Sequence, residues 1–239
     1  MSTSALPLRI TPESAFTDAA TLCNPEAHEA VGATSKLATY AATGGAAYGF
    51  TMGLNHPGHP WLQAVTSAAK VPILFLLTLA ICLPLLHFLG LLLGARFRVR
   101  HTLRVLMVGM AITCTLLAAF APVSLFFLIS GSTYEFLLLF HVGVFAFCGA
   151  AGLTVMHRGF MALPGRTTGE APVRLFLAWM ALYMFVGTQM AYNLSPFVDK
   201  QPSFNLFRKD EGNFYAKVFK VARNLFTGDA PLPRNSRGL

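Results

Sequence analysis

Residues 71–93 read VPILFLLTLAICLPLLHFLGLLL, a run of 23 residues with no Asp, Glu, Lys or Arg. At about 1.5 Å per residue, a helix of this length crosses the roughly 30 Å hydrocarbon core of a bilayer. Three more stretches share that length and character: 103–129, 134–156 and 173–194. Prolines stand inside two of the four, Pro84 in the first and Pro122 in the second. Such prolines kink a membrane helix without ending it. The whole chain agrees with these stretches. Of its 239 residues 54% are hydrophobic and only 12% charged, its mean hydropathy is +0.56, and Phe occurs 21 times. That charged share is about half the one usual in soluble domains, too little to cover a water-facing surface. A soluble globule is excluded, and so is a disordered chain, because apolar residues dominate. The sequence therefore predicts an all-α, polytopic integral membrane helical bundle.

Upstream of that stretch, residues 33–54 form a fifth span of a different kind. It is long enough to cross, but it is built of Ala, Gly and Thr and is only weakly hydrophobic. Ala41, Gly45, Gly49 and Gly53 recur every four residues. On a helix they form one smooth row, a packing groove that lets a second backbone approach closely. Such a helix belongs among neighbours and not in lipid. A break with strong turn signals, Asn55-His56-Pro57-Gly58-His59-Pro60, separates it from residue 71, with Trp61 suited to the membrane interface. Residues 1–32 are a polar leader carrying Glu13, Asp18, Glu26 and Glu29, without the basic-then-apolar order of a cleavable signal. Residues 196–239 form a tail in which 213–226 make a basic amphipathic helix. Lys217, Lys220 and Arg223 lie on one face, and Phe214, Val218, Val221 and Leu225 on the other. The four-residue link Ser130-Gly131-Ser132-Thr133 forces the spans on either side of it to be antiparallel neighbours.

A net charge of +8 would suggest nucleic acid in a soluble protein. Here the basic residues flank the spans, so no nucleic-acid partner is expected and the charges set topology. With five spans, one side collects Lys36, Arg96, Arg98, Arg100, Arg104, Arg158, Arg166 and Arg174. The other collects Lys70, Lys200, Arg208 and Lys209 near the span ends. The imbalance predicts a cytoplasmic N-terminus and an outer C-terminus.

Ionisable groups inside a bilayer suggest function by default, and this chain has few. His87 and His141 lie on separate spans. They suit proton relay, metal or heme ligation, or plain hydrogen bonding to a helix carbonyl. No HxxxH, HExxH or ExxH spacing supports a metal site, and no cofactor is expected. Gln189 and Asn193 stand four apart on the last span and share a face. They suit a polar path with His141, or interhelical hydrogen bonding. Arg208 and Asn213 in the tail are candidates to meet that pair and clamp the tail to the bundle mouth. Cys23, Cys82, Cys114 and Cys148 form no CxxC pair and read as small hydrophobes. No GxSxG, Walker A or GxGxxG motif is present, so no catalytic residue is assigned.

The order of spans, the 70–84 run KVPILFLLTLAICLP, the 185–197 run FVGTQMAYNLSPF and the later Phe207-Arg208 and EGNFY at 211–215 resemble the Yip1-like family of five-span membrane proteins, in its bacterial branch. The resemblance covers about residues 30–226. It implies a five-helix bundle with the N-terminus inside, in a bacterial inner membrane, with no known cofactor or catalytic residue. Eukaryotic members partner trafficking GTPases and shape membranes without catalysis, a role that does not carry over to a bacterium.

Three functional readings follow. The first is a non-catalytic scaffold, accessory subunit or membrane-shaping protein that contacts the lipid bilayer and other membrane subunits or itself. The second is a small transporter or channel with a polar path near His141, Gln189 and Asn193. The third is a membrane redox anchor using His87 and His141.

Overall fold

Long apolar runs free of helix-ending turns fold as single helices, because a helix satisfies its own backbone where no water can. In the computed structural model, residues 30–55, 60–92, 99–161 and 171–194 are described, together with Arg223. They form five helices: α1 (Ala30–Gly53), α2 (Pro60–Leu92), α3 (Val99–Ile129), α4 (Tyr134–Met161) and α5 (Ala171–Leu194). No strand occurs among the described residues. Three helices are long and apolar enough to cross a membrane, over Pro60–Phe88, Thr102–Ile129 and Glu135–Met161, and α5 carries a shorter apolar stretch, Phe176–Ala191. The fold is a helical membrane bundle.

One boundary departs from the sequence reading. Residues 60–70 belong to the long helix α2, whose first residue is Pro60. Proline is well suited to that place, since its missing N–H is one the first turn cannot use and its φ is already helical. The turn signals therefore end before Pro60, and a full three turns precede the apolar run. Trp61 stands out at 71% exposure.

The α3–α4 link is set by its glycine. Gly131 has φ of +73°, the left-handed conformation that closes a helix C-terminus. The N–H of Gly131 donates to Leu128 O and that of Ser132 to Phe127 O, each at 3.3 Å. Thr133 then caps α4: the N–H of Phe136 donates to its Oγ1 at 3.4 Å. The chain reverses within four residues, as the sequence requires, and the Phe127 ring packs on Phe136 and Phe140 at 5.0 and 5.1 Å.

Helices consecutive in the chain pack in antiparallel register, whereas α1 and α3 run side by side in the same direction. Gly45 faces Pro72, Gly49 faces Ser67 and Gly53 faces Gln63, so α1 and α2 run in opposite directions. Gly109 of α3 meets Gly152 and Met156 of α4. On the far side Trp179 of α5 reaches Cys82 of α2. The packing order is thus α5–α2–α1–α3–α4, with α1 wedged between α2 and α3. One apolar cluster joins Leu37, Leu79, Leu106, Phe160 and Trp179, and a second gathers around Tyr48, Met52, Leu117 and Val144.

Candidate functional site

The row of small residues on α1 lies where a groove should. A Cβ on Gly49 would run into the Ser67 carbonyl, and one on Gly53 would stand 2.5 Å from the Gln63 oxygen. At Gly45 the Pro72 ring lies in ordinary contact, 3.5 Å away. Ala41 is buried in the cluster at the other end of the helix. Backbones approach this closely only where side chains are absent. A second contact is not in that row. Gly44 abuts α3, and a Cβ there would be 2.5 Å from the Cys114 oxygen. The doublet Gly44-Gly45 therefore serves both neighbours of α1, one residue each. A third crossing pairs Gly109 with Gly152, where an added Cβ would strike Met156 or Thr113.

His141 sits early on α4 and is 1% exposed. Its Nδ1 lies 2.7 Å from the hydroxyl of Tyr48 on α1. With the imidazole proton on Nε2, the hydroxyl donates to Nδ1. The two rings meet edge to face, centroids 5.6 Å apart, and Phe140 and Phe145 close the pair off. A histidine enclosed by aromatics and bonded to a fully buried tyrosine is anchored, and neither ring is open to water.

Gln189 is half-buried on α5, and Asn193 follows one turn later in the same helix. Helix α5 pairs with α2, while His141 bonds Tyr48 of α1. Arg208 and Asn213 lie outside the described residues, as does Cys23. His87 sits near the end of α2, its ring beside Phe88. Tyr48 adjoins Gly49, which lies against Ser67, and His87 is 20 residues beyond Ser67 along α2. At 1.5 Å per residue that is about 30 Å from the His141 level. A heme iron bonds its axial ligands directly, so His87 and His141 cannot flank one heme. Among the described residues, no three His, Cys, Asp or Glu side chains converge on a point that would hold a metal. Cys82, Cys114 and Cys148 are free and buried.

Two features were not singled out from the sequence. Trp179 Nε1–H donates to the Cys82 carbonyl at 3.0 Å and fastens α5 to α2. This bond lies two residues before Pro84, whose ring disturbs the local helical ladder. Its signal was a lone Trp in an apolar span, whose indole needs an acceptor when buried. The second feature is a cleft of about 160 Å³ between α4 and α5, floored by α2 and α3. Leu74, Phe75, Ala146, Gly149, Tyr183 and Gly187 line it, and neither His141 nor Gln189 does.

The chain matches no family model, no curated protein and no solved structure.

Proposed function

We propose that this membrane protein is a non-catalytic scaffold or accessory subunit, which packs against other membrane proteins or copies of itself and thereby organises or shapes the bilayer around it. The observation that carries this reading is the position of α1. The middle of the bundle, where a transporter keeps its path, is filled by a helix whose backbone touches those of α2 and α3. Two buried polar pairs are spent on internal bonds, Tyr48 with His141 and Trp179 with the Cys82 carbonyl. The outer faces are apolar and open: Ile73, Leu77, Ile81 and Phe88 on α2, and Phe126 on α3, are all exposed. This surface suits lipid and the apolar faces of other membrane helices.

The reading extends to a five-span, Yip1-like layout in a bacterial inner membrane with the N-terminus in the cytoplasm. Lys36, Arg100, Arg104 and Arg158 support that orientation, since they occupy the same end of the bundle. Purification in mild detergent after in-membrane cross-linking tests the function. A stoichiometric partner, or a defined oligomer of the chain itself, is the expected result. A solitary monomer that conducts solute in proteoliposomes, with flux abolished by His141→Leu, would replace this reading with the transporter.

A further inference from the structure

A cleft lies open between α4 and α5. These two helices end the packing order, and the cleft between them keeps them apart. The wall residues on α4 run from Val142 to Met156, a span of 15 residues, so the cleft extends along about 20 Å of helix. It therefore lies along the hydrocarbon depth of the membrane and opens sideways into it.

Its surface is apolar even where its residues are not. The Thr113 hydroxyl donates to Gly109 O at 2.9 Å and that of Thr188 to Phe185 O at 2.9 Å. Thr78 turns its methyl toward Gly187, and its buried Oγ1 has no hydrogen-bond partner among the described residues. A water molecule needs two to four polar partners to settle in a cavity, more than the one unpartnered threonine hydroxyl of these walls. Gly149 lies on the wall with nothing within 4 Å of where a Cβ would be, so the α4 backbone itself borders the opening.

Charge tells which molecule reaches this cleft. Met156, the last wall residue on α4, is two residues from exposed Arg158. Lys36 and Arg100, also exposed, stand at the same end of the bundle. Among the described residues there is one carboxylate, Glu135, and it belongs to the first turn of α4, at the opposite end. An apolar channel leading into a cationic rim matches a molecule with an anionic head and a hydrocarbon chain.

We infer that the α4–α5 cleft is a binding site for one anionic phospholipid, with an acyl chain lying between the two helices along Ala146, Gly149 and Gly187 and the phosphate held at the Arg158 end. The bound chain completes the bundle by filling the gap that α4 and α5 leave.

Two glycines of α4 provide the test. Gly149 and Gly143 both have open space at Cβ, but only Gly149 lines the cleft. The full chain in mild detergent is incubated with phosphatidylglycerol or phosphatidylethanolamine carrying a diazirine in one acyl chain, then irradiated, and the adducts are mapped by mass spectrometry. Phosphatidylglycerol should label cleft residues such as Phe145 and Met184. Gly149→Leu should reduce that labelling about tenfold, the effect of displacing two buried methylenes, while Gly143→Leu leaves it unchanged. Ala146→Phe repeats the blockade at a second wall position. Arg158→Gln should reduce the preference for phosphatidylglycerol about fivefold. Equal labelling of Gly149→Leu and Gly143→Leu overturns the site. So does labelling spread evenly over Ile73 and Phe88 on the open face of α2. Equal use of the two lipids overturns the anionic headgroup.

Discussion

Helices α1 and α4 both carry several glycines; Gly152 of α4 packs against α3 as those of α1 pack against their neighbours, but two others on α4 are used in the opposite way. On α1, Gly44, Gly49 and Gly53 each abut the backbone of a neighbouring helix, and a single methyl has no room there. On α4, Gly143 and Gly149 face open space. The first set joins helices and the second leaves a surface bare. What glycine does for a membrane helix is therefore decided by the neighbour, and spacing alone does not reveal it.

Substitution breaks this comparison most directly at α1. Gly49→Leu forces a side chain into the Ser67 backbone and should destabilise the bundle by about 3 kcal/mol or more, through overpacking that a helix backbone cannot relieve. Loss of a monodisperse peak on size exclusion, or a lowered melting temperature, measures it. Equal stability of Gly49→Leu and wild type would remove α1 from its wedged position. The α1–α4 bond comes next. Tyr48→Phe leaves His141 Nδ1 buried without its partner and should lose about 1 kcal/mol. A double-mutant cycle with His141→Leu isolates the pair, and a coupling near zero would dissolve it. Trp179→Phe keeps the ring and removes the donor to Cys82 O, with a loss of about 0.5–1 kcal/mol in thermal stability. The smallest effect belongs to α4. Gly143→Ala meets no atom and gains helix propensity, so stability should rise by about 0.5 kcal/mol. A drop there would mean that α4 has a partner at that face.

The features legible in the sequence are those that depend on one helix at a time. The 71–93 run had to be a helix, and Gly131 had to end one, because length, apolarity and a turn residue are local facts. The row Gly45, Gly49, Gly53 was legible for the same reason, since a spacing of four puts residues on one face. Which helix that row meets was not legible, because it depends on how five helices are arranged. Gly44 illustrates this: it sits off the row, and its importance lies in Cys114, 70 residues away. His141 was visible as an ionisable group, but Tyr48, its partner, was hidden within a run of alanines and glycines. The cleft was invisible for a further reason. It is defined by two helices that do not pack together, and no single segment of sequence encodes a missing contact.

The weak apolarity of α1 has a consequence for how the protein is made. The three helices that are long and apolar enough to cross a membrane by themselves all follow it in the chain. α1 emerges from the ribosome first, yet its niche consists of Ser67 and Gln63 on α2 and Cys114 on α3. At the time of its synthesis those walls do not exist. Partitioning into lipid gives such a segment little stabilisation, so it has to wait beside the insertion machinery until α2 and α3 arrive to enclose it. Among the described helices the first made is thus seated only after the two that follow it, and truncation after α2 should leave α1 without its second wall.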